Sequence, residues 1–149
     1  MKPHILITKA HQDQISSLKA IADANRDQIG FIPRAKFQEA IDTNRIFIAL
    51  INTTLVGFVI FRHRKTDQQT TLSEICILSE WRGHGIGKCL IQALQSDCIA
   101  NSHNFIQLKC PVDLSANIFY EKLGFSLVDT EPGKHRRINV WRLPMNQGE

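Results

Sequence analysis

Apolar and polar residues alternate along several short stretches of this chain, and each such stretch predicts a β-strand. In other stretches the apolar residues recur every three or four positions, which predicts an amphipathic helix. The predicted strands are His4–Thr8, Arg45–Ile51, Leu55–Phe61, Thr71–Leu78, Phe105–Lys109, Phe125–Val128 and Arg137–Leu143, and the predicted helices are Asp13–Asp23, Pro33–Ile41, a stretch ending near Ala100, and a short helix within Asp113–Phe125.

The order of these elements predicts an α/β fold. Antiparallel strands come first and strand–helix–strand units follow, which is typical of a mixed, mostly antiparallel central sheet of about six to seven strands flanked by about four helices. At 149 residues the chain is expected to form a single domain, residues 1–149.

The segment Arg82–Lys88 joins a predicted strand to a predicted helix and is rich in glycine. Glycine lets a chain turn tightly and brings backbone N–H groups close to a ligand. The first turn of a helix adds unpaired N–H groups and the positive end of the helix dipole. The arrangement indicates a phosphate or pyrophosphate site, to which Arg82 and Lys88 could add positive charge. The alternative is a strand-to-helix turn that binds nothing.

The glycine spacing excludes two common phosphate loops. A nucleoside triphosphate loop requires Gly-x-x-x-x-Gly-Lys-Ser/Thr, but Arg82 occupies the place of its first glycine and Cys89 follows Lys88. The dinucleotide fingerprint Gly-x-Gly-x-x-Gly is not met either. The remaining pattern, Arg-x-x-Gly-x-Gly over Arg82, Gly85 and Gly87, resembles the pyrophosphate loop of the GNAT superfamily, the acetyl-CoA-dependent N-acetyltransferases.

A second segment, Asp113–Phe125, adds to this resemblance. Its run Phe-Tyr-Glu-Lys-Leu-Gly-Phe is similar to the other GNAT signature, and the two occur in the family's order and at its usual separation. In the family, the tyrosine at the place of Tyr120 protonates the departing CoA thiolate. Tyr120 is the only tyrosine of the chain, and a phenol with a pKa near ~10 keeps its proton at neutral pH. Aromatic packing on a helix is the alternative.

Asp113 departs from the family pattern. The family often has an asparagine seven residues before this tyrosine, and that asparagine hydrogen-bonds the pantetheine arm or nearby backbone. An ionised aspartate accepts but does not donate. A CoA contact by Asp113 therefore follows from the resemblance alone, and capping of the helix by Asp113 or Ser115 is the preferred interpretation. Gly124 suits the left-handed position after the helix.

The resemblance also implies roles for the strand end and the glycine loop. The backbone of Ile75, Cys76 and Ile77 would pair with the pantetheine arm, and one of these N–H groups would polarise the acetyl carbonyl. Side chains in the loop would matter less than its backbone. The pyrophosphate would be held by the amides of Gly83, His84, Gly85, Ile86, Gly87 and Lys88.

Glu74 is the preferred general base. It interrupts an apolar strand, where an unpaired carboxylate is costly and burial can raise its pKa. Such a group suits proton removal from an ammonium near neutral pH, directly or through water. The alternative is a Glu74 that points outward or pairs with a basic side chain. His63 and His135 are further candidates for the base.

The cysteines predict a reduced protein without a metal site. Cys76, Cys89, Cys98 and Cys110 form neither a Cys-x-x-Cys pair nor a zinc pattern. A Cys110 nucleophile is the alternative to four inert thiols. The start of the chain lacks a signal-peptide core, so a cytoplasmic location is expected. No apolar run approaches the ~18 residues of a membrane span.

The net charge is +4, and two basic clusters stand out, Arg62–Lys65 and Lys134–Arg137. Both fall where turns are predicted. Such clusters are usually solvated, and their alternative role is attraction of an anionic acceptor such as an RNA or an acidic protein. The two clusters are compatible with a nucleic-acid partner, but they are not evidence for one.

Together these features predict an N-acetyltransferase that moves an acetyl group from acetyl-CoA to a primary amine by direct attack in a ternary complex. The amine could belong to a small molecule, a protein N-terminus or a lysine, because the acceptor segments, about Asp23–Arg34 and Glu131–Arg137, carry no portable motif. The alternatives are a GNAT toxin that acetylates aminoacyl-tRNA and a CoA-binding regulatory module without turnover. Many relatives dimerise, so the resemblance permits a homodimer.

Overall fold

The structure is a computed structural model that describes residues 4–145. Its strands are β1 (Ile5–Lys9), β2 (Ile46–Ile51), β3 (Thr54–Arg64), β4 (Gln69–Ile77), β5 (Phe105–Pro111), β6 (Ser126–Glu131) and β7 (Ile138–Pro144). Its helices are α1 (Ile15–Ala24), α2 (Arg26–Ile29), α3 (Arg34–Asp42), α4 (Ile86–Ala100) and α5 (Ala116–Lys122), with 3-10 turns at Gln12–Gln14 and Ser79–Trp81.

The seven strands form a sheet in the order β1-β2-β3-β4-β5-β7-β6. Antiparallel pairs join β1 to β2, β2 to β3, β5 to β7 and β6 to β7, whereas β4 and β5 are parallel. The α/β class and the mixed, mostly antiparallel sheet are thereby confirmed. The described residues hold five helices rather than about four, because α2 adds a single turn after α1.

Contacts divide the chain into two compact units. Within the described residues, the first comprises residues 4–61 together with Ser73–Leu94, and the second comprises Arg62–Leu72 and residues 95–145. In the first unit, Phe37 of α3 meets Phe58 of β3 edge to face, with ring centroids 5.4 Å apart. Leu18 of α1 belongs to the same buried cluster. The apolar stripes predicted for α1 and α3 therefore face the core of this unit.

The end of β4 is positioned by a close approach of β3 at Gly57. A Cβ at this place would lie 2.9 Å from the carbonyl oxygen of Cys76 and 3.4 Å from Cγ1 of Ile77. One residue beyond β4, the Leu78 N–H donates to the Val56 carbonyl at 2.9 Å. Glycine at position 57 thus lets the two backbones lie together just before the glycine loop begins.

The placement of the first basic cluster in a turn is right only for Lys65. β3 continues to Arg64, so Arg62, His63 and Arg64 lie in the strand. His63 is only partly exposed, and its Nε2 lies 2.6 Å from Oδ2 of Asp97 while its Nδ1 lies 2.8 Å from Oγ1 of Thr70. These polar partners let a charged sequence continue a strand. The second cluster, Lys134–Arg137, lies between β6 and β7 as predicted.

In the second unit, β5 and β7 pair along their full lengths, from Phe105–Pro144 to Pro111–Ile138. The parallel register of β4 with β5 runs from Gln69–Phe105 to Thr71–Gln107. The turn after α5 is made by Gly124, whose φ is +100°, as its predicted left-handed position requires.

Candidate active site

The glycine loop presents bare backbone ahead of α4. Gly83 and Gly85 both have φ of +81°, and within the described chain no atom outside their immediate neighbours lies within 4 Å of the place that a Cβ would take at either. This left-handed conformation favours glycine. Gly87 lies in the first turn of α4, and the Cys89 N–H donates to the Gly85 carbonyl at 3.1 Å. The loop therefore has the shape expected of a backbone anion site.

Arg82 is tied into the protein by its guanidinium. Nη2 donates to Oδ1 of Asn25 at 2.5 Å, and Nε donates to the carbonyl oxygen of Ile77 at 3.3 Å. Sequence analysis missed Asn25, since the two residues are 57 positions apart and nothing local marks the pair. Arg82 thus does more than supply the positive charge expected from sequence. Lys88, like Arg82, belongs to the exposed residues, and it lies on α4.

His84 lies on the surface of the loop, as expected for a residue whose backbone matters more than its side chain. Its Nδ1 is 3.1 Å from the carbonyl oxygens of Trp81 and Arg82. The His84 and Trp81 rings meet with centroids 5.3 Å apart. These contacts hold the side chain against the start of the loop.

The strand end at Ile75, Cys76 and Ile77 is buried, with exposed fractions of 9%, 5% and 9%. Burial raises the pKa of the Cys76 thiol to about 11, against the opposing influence of Arg82. The thiol is therefore protonated at neutral pH.

Glu74 lies on β4 with 19% of its side chain exposed, and Nζ of Lys36 is 3.8 Å from its Oε1. Burial raises the pKa of this carboxyl, whereas the charge of Lys36 and a hydrogen bond from it act in the opposite direction. The pairing with a basic side chain is thus present, and the role of Glu74 as general base stays a prediction. Glu74 has a raised pKa, as a general base needs, and it also has a basic neighbour.

Tyr120 lies on α5 and is 8% exposed. Its ring meets Phe119 and Phe125 edge to face, with centroids 5.5 Å and 6.0 Å apart. The Phe125 N–H donates to the Tyr120 carbonyl at 3.1 Å. The short aromatic motif therefore fixes the ring by packing on both sides.

Of the two predicted capping residues, Ser115 occupies the N-cap position of α5 and Asp113 does not. α5 begins at Ala116, and the side chain of Ser115 makes no capping hydrogen bond. Asp113 instead binds Nη1 of Arg136, at 3.2 Å through Oδ1 and 3.0 Å through Oδ2. Asp113 lies before the N-cap, outside the helix, and pairs with the basic connection between β6 and β7.

Asn117, which sequence analysis did not single out, organises the start of α5. Its Nδ2 donates to the carbonyls of Pro111 and Leu114, both at 2.8 Å. Its Oδ1 accepts from Nε1 of Trp141 at 2.9 Å and from Nδ2 of Asn139 at 3.1 Å. The only available signal was a polar residue beside the aromatic motif. Asn117 thus joins α5 to β5 and β7.

The other catalytic candidates from sequence fit their roles less well. His63 is engaged by Asp97 and Thr70, and His135 is exposed in the connection between β6 and β7. Burial raises the pKa of the Cys110 thiol to about 11, which opposes a role as a nucleophile at neutral pH. All four cysteines are free.

The predicted site residues are divided between the two units. Glu74, the strand end Ile75–Ile77 and the loop Arg82–Lys88 belong to the first, and Asp113 and Tyr120 belong to the second. A surface groove of about 480 Å³ in the first unit, lined among others by Gln12, Ser16 and Arg34, contains none of these residues.

Residues 4–145 contain neither a candidate metal site nor a helix that could span a membrane. No group of three or more His, Cys, Asp or Glu side chains there could hold a metal ion. Within the same range, every helix is too short or too polar to span a membrane.

Comparison with known proteins shows the family. The model of the acetyltransferase (GNAT) domain matches residues 9–146, so this chain belongs to the GNAT acetyltransferases. Over 83 residues it is 36% identical to N-alpha-acetyltransferase 30 of Schizosaccharomyces pombe, and the match covers 53% of this chain and 55% of that relative. The chain thus spans about half the length of its curated relative.

Solved structures share the fold at low sequence identity. Ard1 from Thermoplasma volcanium superposes with a TM-score of 0.84 at 17% identity, over 96% of this chain and 99% of that one. The structure of yncA from Salmonella typhimurium with its cofactor acetyl-CoA superposes with a TM-score of 0.77 at 14% identity, over 96% and 95% of the two chains.

Proposed function

We propose that this protein transfers an acetyl group from acetyl-CoA to a primary amine by direct attack in a ternary complex. The observation that carries the proposal is the glycine loop, in which two left-handed glycines precede the 15-residue helix α4. Backbone N–H groups in such a loop are suited to a pyrophosphate. Membership of the GNAT family and the acetyl-CoA bound in the yncA structure favour acetyl-CoA as the ligand.

In this proposal the amine nitrogen attacks the thioester carbon, and the tetrahedral intermediate then expels the CoA thiolate. Glu74 takes the proton from the ammonium, because its raised pKa brings it nearer to the working pH. Tyr120 gives a proton to the thiolate. The backbone of Ile75–Ile77 holds the pantetheine arm and polarises the acetyl carbonyl. We assign Asp113 no contact with CoA, since its carboxylate is paired with Arg136.

The α-amino group of a peptide is the first acceptor to test. The curated relative is an N-alpha-acetyltransferase, and a peptide N-terminus is the kind of primary amine that such a name implies. Among residues 4–145, no contact favours aminoacyl-tRNA. A homodimer and a cytoplasmic location stay predictions, and size-exclusion chromatography with light scattering would test the first.

The cofactor assignment can be tested by changing charge without changing shape at the loop. Gly87→Glu and Gly87→Gln place side chains of nearly equal size in the first turn of α4. A carboxylate there repels the pyrophosphate, whereas the amide does not. We expect calorimetry to show acetyl-CoA binding at least about tenfold weaker in the Glu variant than in the Gln variant, a difference of ~1.4 kcal/mol.

Gly87→Ala measures how much an apolar side chain at this position changes the affinity for acetyl-CoA. Because Gly87 is buried, the comparison requires that both variants still bind, and equal, measurable affinities of the Glu and Gln variants would mean that the pyrophosphate does not lie at this loop. A folded wild-type protein with no affinity for acetyl-CoA would remove the proposal altogether. If the wild type binds, N-acetylation of a peptide library, followed by mass spectrometry, tests the acceptor class.

A further inference from the structure

Asn25 is a buried polar residue at the end of α1. It is 6% exposed, and its backbone N–H donates to the Ala22 carbonyl at 3.0 Å. Both ends of its amide are used. Nδ2 donates to the Ile21 carbonyl at 2.8 Å, and Oδ1 accepts from Nη2 of Arg82 at 2.5 Å. Burial without such partners would be costly, so the position of Arg82 and that of α1 are coupled through this side chain.

Arg82 directly precedes the first left-handed glycine. Its backbone is extended, with φ of −69° and ψ of 150°, and the chain then turns at Gly83 with φ of +81°. Its Nε holds the carbonyl oxygen of Ile77 at 3.3 Å. One guanidinium therefore joins the end of α1, the end of β4 and the entrance to the glycine loop, all within the first unit.

Two glycines close together make a segment with many accessible conformations, and ordering it on binding would weaken affinity. A fixed entrance restricts those conformations before the ligand arrives. The planar fork of arginine suits this task, since it can hold two acceptors in one geometry.

We propose that Asn25 is a positioning residue that holds Arg82, and through Arg82 the glycine loop, in the conformation that binds the pyrophosphate of acetyl-CoA. The inference rests on the proposed function, since it concerns the same loop. It adds a residue that lies far from the loop in sequence, and it gives Arg82 an anchoring role that does not require contact with phosphate.

Three variants separate this role from simple capping of α1. Asn25→Leu removes both side-chain hydrogen bonds. Asn25→Asp keeps an oxygen for Arg82 and loses the donor to Ile21. Asn101→Leu is the control. Nδ2 of Asn101 also donates to the carbonyl four residues before it, that of Asp97, at 2.8 Å, but Asn101 belongs neither to the glycine loop nor to the residues that anchor it.

Calorimetry with acetyl-CoA gives the main result, and thermal unfolding reports on stability. We expect affinity to fall about tenfold in Asn25→Leu, to stay within about threefold of wild type in Asn25→Asp, and to change less than about twofold in Asn101→Leu. Amide hydrogen exchange across residues 83–88 should be faster in Asn25→Leu and close to wild type in Asn25→Asp.

Wild-type affinity in a folded Asn25→Leu protein would overturn the inference. Equal losses of affinity in the Leu and Asp variants would also overturn it, because they would show that the hydrogen bond to Ile21 at the end of α1 matters rather than the one to Arg82. If Asn25→Leu does not fold, Arg82→Lys takes its place, since lysine keeps the charge but cannot hold both acceptors in a fork. Unchanged affinity in Arg82→Lys would then overturn it. Failure of wild type to bind acetyl-CoA would instead count against the proposed function.

Discussion

At the scale of single residues, the Tyr120 hydroxyl offers the most direct test of the chemistry. Tyr120→Phe removes the proton donor and keeps the ring that packs against Phe119 and Phe125. We expect turnover to fall by about 10²–10⁴-fold, the usual contribution of a general acid, with acetyl-CoA affinity close to wild type. Steady-state kinetics and calorimetry measure the two effects. Full activity of the variant would show that another group or water protonates the thiolate.

Glu74 and Lys36 lead to a prediction about pH. Because burial raises the Glu74 pKa, activity should fall, as the pH decreases, at a higher pH than for an ordinary carboxylate. Lys36 lowers that pKa, so Lys36→Met should move the acidic limb of the kcat/KM profile to still higher pH. The profile should lose this limb in Glu74→Gln.

A limb unchanged in both variants would assign the base elsewhere. An acidic limb that moves to lower pH in Lys36→Met would contradict the lowering of the Glu74 pKa by Lys36. The thermal stability of each variant serves as the control for folding.

Residues whose role depends on distant partners escaped the sequence-based predictions. The motifs around Gly85 and Tyr120 were visible because their spacing is local. Asn25 and Asn117 were not visible, because each acts by joining segments that lie far apart in the chain. Asp113 was misplaced for the same reason, since its partner Arg136 lies beyond β6.

At the scale of elements, the contact of β3 with β4 at Gly57 carries a prediction about stability. Gly57→Ala would place a methyl group 2.9 Å from the Cys76 carbonyl oxygen. That atom belongs to the backbone and cannot move aside alone, so the strands must separate. We expect a destabilisation of about 1–3 kcal/mol, typical of overpacking, measured by chemical denaturation. Stability equal to wild type would mean that the strands shift without cost.

The strands were largely predictable because their apolar residues follow a period of two. The residues at which the strands end were harder to predict. The length of β3 was underestimated because Arg62, His63 and Arg64 are charged or polar, while the structure supplies His63 with Asp97 and Thr70 as partners. For the start of α5 the sequence left two capping residues open, Asp113 and Ser115, and Ser115 is the one that precedes the helix.

At the scale of the whole molecule, the net charge of +4 bears on cofactor binding. Acetyl-CoA carries several phosphate charges, and the field of a basic protein attracts it. We expect its dissociation constant to increase two- to fivefold between about 50 and 300 mM NaCl, as screening strengthens. An acetylated pantetheine without phosphates is the control and should show no such dependence. Identical behaviour of the two ligands would indicate that charge plays little part.

The conformation of Gly83 and Gly85 has a stereochemical consequence. An L-alanine at either position would meet no neighbour within 4 Å beyond the adjacent residues, so its cost would come from the handedness of its own Cα, at ~1–2 kcal/mol per residue. A D-residue, for which positive φ is natural, would not incur that cost. The loop is therefore constrained by chirality rather than by crowding. At Gly83 and Gly85 we therefore expect the cost of a substitution to depend on whether the new residue is L or D, rather than on the size of its side chain.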